Sequence, residues 1–204
     1  MTTHYAKVVN ASILDTTEDI KTVFPNVVFG DTLPASIENW YKVIGSKPEL
    51  TLNQKITGHS YTLSNGIPQY SYTVENKTQA EITAYKKNLK NTVDSHAELI
   101  RLQYITGGAG QANVYREKYI EAVDYLAQGS NADINDYPHI KAEIGITGTD
   151  AEEVCNVVVG NRNAWIGISA SIESKRLQAK KDIEDATTLT IAQGVFDDYI
   201  TDNS

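Results

Sequence analysis

The chain has one cysteine, Cys155, and one methionine among its 204 residues, so no internal disulfide can staple it. Beside Val154 and near an apolar stripe, Cys155 reads as a small buried apolar residue. No stretch approaches the roughly 18–20 apolar residues of a membrane span. The opening Met1-Thr-Thr-His4-Tyr5-Ala6-Lys7 has no basic head followed by an apolar block, so no signal peptide is expected. The sequons at Asn10 and Asn76 then read as chance matches. Positive charge is short: 18 Lys and Arg stand against 26 Asp and Glu, net −8 with a pI near 5.0. A general nucleic-acid binder would need a basic stripe to release counterions. The four histidines, His4, His59, His96 and His139, have no metal-ligand spacing, and no Cys/His cluster or His-Glu-x-x-His occurs. No nucleophile–base pair and no paired-carboxylate arrangement stands out. The residues therefore imply no catalytic group, no metal, no cofactor, no nucleic acid and no membrane.

What is present is ordinary in bulk and organised in detail. Hydrophobic residues make up 41% and charged residues 22%, enough to bury a core. Residues 1–74 carry 5 basic and 6 acidic groups (net −1), and residues 75–204 carry 13 and 20 (net −7). The acidity therefore belongs to the second part, where a solvated helical surface accounts for it.

The spacing of apolar residues predicts an α+β chain: a small β-rich module over residues 1–75, then a helical bundle or long helical hairpin over 76–204. In the first part, Tyr5–Leu14 reads as two strands about a tight turn at Asn10-Ala11, with Ala a poor occupant of a place that favours Gly. Residues 15–55 read as loop, with one short helix over Pro34–Ile44 carrying Ile37, Trp40 and Tyr41. Asn65-Gly66, between His59–Leu63 and Gln69–Val74, marks a hairpin with a type I′ turn, and Tyr70 and Tyr72 share one of its faces. This hairpin is the candidate attachment element.

The second part begins with a capping box, Thr78-Gln-Ala-Glu81. Ile82, Tyr85, Leu89, Val93, His96, Ile100 and Tyr104 follow at helical spacing, with His96 expected as a hydrogen-bonded core residue. Gly107-Gly-Ala-Gly110 breaks the helix; this corner could cradle an anion but lacks the Lys-Ser/Thr of a nucleotide loop, and a helix–helix corner explains it. A second arm runs through Ala112, Tyr115, Tyr119, Ala122 and Leu126 to Gly129. A polar loop follows, then a short helix at Tyr137-Pro138 with Asp136 as its cap and Ile140 and Ile144 pointing inward. The third arm is the longest, about 149–186, opened by a capping box Thr149-Asp-Ala-Glu152. Its stripe is Ala151, Val154, Val158, Trp165, Ile168, Ile172, Ala179, Ile183 and Ala186, interrupted by the polar Asn161 and Lys175. Thr187–Thr190 and Gly194 are expected to interrupt the pattern before a terminal piece. Short connections imply an up-down-up arrangement. A helix this long outreaches a compact globule, so Asn161, Trp165, Ile168, Ile172 and Lys175 are candidate contacts with other copies of the chain.

One run of residues carries a resemblance: Gly108-Ala-Gly-Gln-Ala112, Tyr115, Lys118, Glu121-Ala122, Tyr125, Tyr137-Pro138, Glu143, Thr147-Gly148, Trp165, Ile172-Glu173, Arg176 and Ala179-Lys180. It resembles the C-terminal helical region of small bacteriophage and prophage proteins encoded among tail and tail-fibre genes. Tyr5-Ala-Lys-Val-Val-Asn10, Phe24-Pro-Asn-Val27 and Leu33-Pro34 are similar to the start of those proteins, while residues 40–75 are least alike. The chain departs from the pattern at Asn10-Ala11, where relatives commonly have Asn-Gly. The resemblance implies a non-enzymatic virion protein of the phage tail, made in the host bacterial cytoplasm: a tail-fibre, baseplate or adaptor-associated subunit. Its implied partners are other copies of itself and other tail proteins, with contact to the host surface open. The alternative is a tail or fibre assembly chaperone that leaves the finished particle.

Overall fold

The structure, a computed structural model, describes residues 3–203. Met1 and Thr2, at the start of the stretch read above as lacking a signal, and Ser204 lie outside the described residues. Chain contacts divide it into two compact units, Met1–Ile82 and Thr83–Ser204. The fold is α+β, with antiparallel sheets first and helices after.

In the first unit, β1 (Tyr5–Val9) and β2 (Ser12–Thr17) form a hairpin about Asn10 and Ala11, both at positive φ (50° and 55°). The short helix α1 (Ile20–Val23) is capped by the Asp19 carboxylate, which accepts from the Lys21 amide. No helix forms over 34–44. Instead β3 (Ser36–Ile37) and β4 (Trp40–Lys42) make a second tight hairpin, with Glu38 at φ 50° in its turn. The physical reason is pairing: β4 lies antiparallel beside β1, giving the sheet order β2-β1-β4-β3. That pairing seats Trp40 against Tyr5 and Ile20, under Phe24, Phe29 and Leu33. The Tyr5 hydroxyl, reaching across the segment that follows α1, donates to the Pro34 carbonyl at 2.5 Å.

The second sheet is the hairpin of β5 (Gln54–Ser64) and β6 (Ile67–Asn76), turning at Asn65 and Gly66 with φ of 51° and 76°, the left-handed pair a type I′ turn needs. Both strands are longer than the alternation alone suggested. The unit ends inside the first turn of α2 (Gln79–Arg101), a few residues beyond the expected edge at 75. The side chains there explain it: Lys55 Nζ meets both Glu81 carboxylate oxygens at 2.7 and 2.9 Å, and Lys77 Nζ donates to the Leu52 and Gln54 carbonyls. The capping box is closed, with the Thr78 amide donating to Glu81 at 2.7 Å and the Glu81 amide to Thr78 Oγ1 at 3.3 Å.

The second unit is built on α5 (Ala151–Asp185), 35 residues and so about 52 Å long. Its capping box sits one residue later than expected: Asp150 caps by accepting from the Glu153 amide at 2.9 Å, and Glu153 takes the Thr149 amide and hydroxyl. Gly148 is required there, since a Cβ would lie 2.7 Å from the Val154 nitrogen. α6 (Leu189–Thr201) follows, capped by Thr188, with Gly194 inside it rather than ending it.

The arms are not up-down-up. α2 and α3 (Ala109–Gln128) both run antiparallel to α5, end to end along its length, as their partners show. In α2, Lys90 meets Glu184, Asp94 meets Lys180 and Arg176, and Arg101 meets Glu173. In α3, Tyr119 lies under Arg162 and Ala122 packs with Val154 and Cys155. The first arm of the hairpin is thus one line broken at residues 102–108.

Two separate cores result, one at each end of α5. Leu89 and Val93 of α2 pack with Ala179 and Ile183 of α5 and Ala192 and Tyr199 of α6. Lys86 closes this end by donating to the carbonyls of Glu184 and Ala186 at 2.7 and 2.8 Å, a cation on a helix C-terminus. At the other end Ala122 packs with Ala151, Val154, the buried Cys155, and Tyr137 and Ile140 of the α4 segment (α4, Pro138–Glu143). Asp136 does not cap α4. Glu121 of α3 does so instead, its carboxylate accepting from the amides of His139 (2.9 Å) and Ile140 (3.2 Å). Ile144, beyond the helix, is 38% exposed rather than inward. Of the late charges, Lys181 pairs with Asp185 within α5, but Lys180 and Glu184 bind across to α2.

Candidate interaction groove

Between the two cores the middle of α5 is bare. Gly160–Ala164 are exposed, and Trp165 and Ile168 are half-buried. The cause is the break in the opposing arm: α2 stops at Arg101 and α3 starts at Ala109, with Gly108 at φ 119°, a conformation open to glycine. The gap is a groove of about 910 Å³, walled by Tyr104, Tyr115, Tyr119 and Trp165, with Gly107 and Gly108 at one edge. Three of the residues singled out from the stripe meet there: Asn161, Trp165 and Ile168. The other two do not. Ile172 is 8% exposed and belongs to the interior of the chain, so it offers no free face. Lys175 is exposed but engaged near the C-terminus, donating to Asn203 Oδ1 at 2.9 Å.

Tyr104 and Tyr119, read above as stripe residues, line the groove with Arg162 and Glu98, which carry no signal by spacing because only the register of α2 and α3 on α5 brings them there. The Arg162 guanidinium lies 5.6 Å over the Tyr119 ring. Lys118 is taken up by Glu143, and burial, which raises the Glu143 carboxyl, is outweighed by Lys118 and Thr147, so it titrates below its usual range. Tyr115 donates to Thr106 Oγ1 at 3.3 Å, tying the start of α3 to the broken segment.

The β5–β6 hairpin carries a different surface. Tyr61 and Tyr70, paired across the strands, have ring centres 5.5 Å apart, and Tyr70 stacks on Tyr72 at 5.7 Å, with His59 edge-on to both Tyr61 and Tyr70. His4 joins from the chain start: its Nδ1 is 2.6 Å from the Tyr70 hydroxyl and its Nε2 is 3.1 Å from Glu18. This carboxylate–imidazole–phenol line has the connectivity of an activated nucleophile. Its electrostatics run the other way: burial and the neighbouring tyrosines hold the Tyr70 phenol above its ordinary range, whereas an attacking phenolate needs it lowered. The cluster serves as the seam of the unit, where Ile44, just past β4, bridges to Gln69 of β6.

His96 is not hydrogen-bonded through Nδ1; its ring packs edge-on to Tyr199 at 5.7 Å, and the Tyr199 hydroxyl is likewise buried without a partner among the described residues. Among the described residues no group of three or more His, Cys, Asp or Glu side chains converges, and no helix is long and apolar enough to cross a membrane. No protein-family model, curated protein or solved structure matches the chain.

Proposed function

We propose that this chain is a structural subunit of a bacteriophage tail, associated with the fibre, baseplate or adaptor, and that it acts by protein–protein assembly. The observation that carries the reading is the groove. Residues of the tail-protein resemblance from distant parts of the sequence, Gly108, Ala112, Tyr115, Lys118 and Trp165, line one open cleft. Aromatic and arginine side chains with large, stiff contact area are the types that dominate assembly interfaces. The partners are further copies of the chain and other tail proteins, with the β5–β6 hairpin that bears Asn65, Gly66, Tyr70 and Tyr72 as the attachment element.

Mass spectrometry of purified particles of the encoding phage tests this. The chain is expected at a fixed stoichiometry of several copies per tail. Absence from finished particles, with presence in infected-cell lysate, would sink the structural role and leave the assembly chaperone.

A further inference from the structure

We infer that the groove is the seat of a second copy of this chain, packed about a two-fold axis so that the bare middle of α5 crosses its counterpart antiparallel, with Trp165 and Ile168 at the centre. The inference rests on the assembly reading and names the partner of one site.

Shape permits the approach. Gly160, Ala164, Gly167 and Ser171 recur along α5 at steps of three and four and all are exposed. A Cβ added at Gly160 or Gly167 would meet nothing within 4 Å, so no other part of the chain occupies that side. Beside this low strip stand Trp165 and Tyr104, the latter 55% exposed. A neighbouring helix can lie close on the small residues while the rings close over it.

Charge selects the occupant. The groove is lopsided along α5. On the N-terminal side of Trp165 lies Arg162, without an acidic partner among the described residues, while Arg116 of the antiparallel α3 is about level with Trp165 and touches its neighbour Glu117 at 4.0 Å. On the opposite side lies Glu98, which precedes Arg101 on the antiparallel α2 and is therefore level with the part of α5 beyond Glu173. Glu98 is 58% exposed and holds Arg101 only at 3.3 Å. A two-fold axis at Ile168–Ser169, midway between the levels of Arg162 and Glu98 on α5, carries Arg162 of each copy toward the other copy's Glu98, forming two equivalent pairs in a self-complementary contact. An unrelated acidic helix would satisfy Arg162 but set its own acids against Glu98. A parallel arrangement would set like charges together. Elsewhere a chain of net −8 repels its own copies, which favours pairing through a face that presents cations such as Arg162.

The test is the solution mass of the full chain by sedimentation across micromolar concentrations, with three variants. The natural chain is expected to dimerise. Arg162→Glu and Glu98→Arg, both exposed, are each expected to weaken dimerisation by about tenfold or more, and the double swap to restore it. A chain that stays monomeric to roughly 100 μM overturns the inference. So does an oligomer that Arg162→Glu leaves unmoved, or one that the swap fails to rescue. Multi-copy presence in particles would stand in each of those cases, so failure here is distinguishable from failure of the tail assignment.

Discussion

Ala11 sits at φ 55°, where an L side chain crowds the following carbonyl, and it completes a type I′ turn whose first member is Asn10. The same turn recurs at Asn65-Gly66, where the second residue bears no Cβ and the same geometry carries no such strain. Ala11→Gly is therefore expected to stabilise the first unit by about 0.5–1 kcal/mol, the relief of strain being partly offset by the entropy of the unfolded glycine. A rise in the denaturant midpoint at unchanged m-value checks it. A fall would mean that the β1–β2 turn relaxes away from the left-handed conformation. Asn10-Ala11 is also a place where the sequence could be read but not trusted, because propensity argued against the turn and the pairing of Tyr5 with Thr17 and with Lys42 imposed it.

At the scale of elements, the junction of hairpin and helix is held by charge. Glu81 accepts from Lys55 and from the amide and hydroxyl of Thr78, and these hydrogen bonds, Lys55 foremost, depress its carboxyl to about 2 from an ordinary 4.5. Because the folded value lies below the unfolded one, the stabilisation is fully present above pH 4.5 and is lost as the pH falls through the folded value near 2. A pH titration by NMR is expected to show the Thr78 amide shifting in that acidic window. Glu81→Gln should abolish the titration and fray the first turn of α2 at neutral pH. A Thr78 amide that titrates near 4.5 instead would count against the Lys55 contact.

The legibility of elements divides along a physical line. Those fixed by local chemistry could be read: the capping box at Thr78, the turn at Asn65-Gly66, the break at Gly107-Gly108 and the long run of α5. Those fixed by partners could not. Ile37 and Trp40 are three apart, a spacing that suits one helical face equally well, and only the β1 edge makes them a hairpin. Ile20–Val23 is a single turn, too short to show a period. The direction of α3 was likewise hidden, since a seven-residue connection lets a helix either fold back or continue in line. The groove inherits that ambiguity: Trp165 and Tyr119 were visible as members of their stripes, but Arg162 and Glu98 enter only once α2 and α3 are laid end to end.

For the molecule as a whole, the notable property is that one helix serves two cores, with Ile172 alone buried on it between them among the described residues. Ile183 and Ile140 are both fully buried, the first in the α2–α5–α6 core and the second in the α3–α4–α5 core. Truncating either to Ala is expected to cost about 2–5 kcal/mol. The effects should stay apart. Ile183→Ala should speed amide exchange in α2, α6 and the second half of α5, and Ile140→Ala should do so in α3, α4 and the first half. Equal acceleration along the whole of α5 after either change would show that the two ends open as one unit.

The uncovered stretch of α5 also frees a dimension that most folds fix. In a single packed core, every added residue displaces a neighbour. Here the distance between the two cores is set by how many turns of helix separate them, and the arm opposite is broken over residues 102–108. Eleven extra residues form three near-whole turns, so such an insertion would keep the faces in phase and move the ends apart by about 16 Å. α5 is in this sense a ruler, its two cores the marks and the groove the interval that sets the scale.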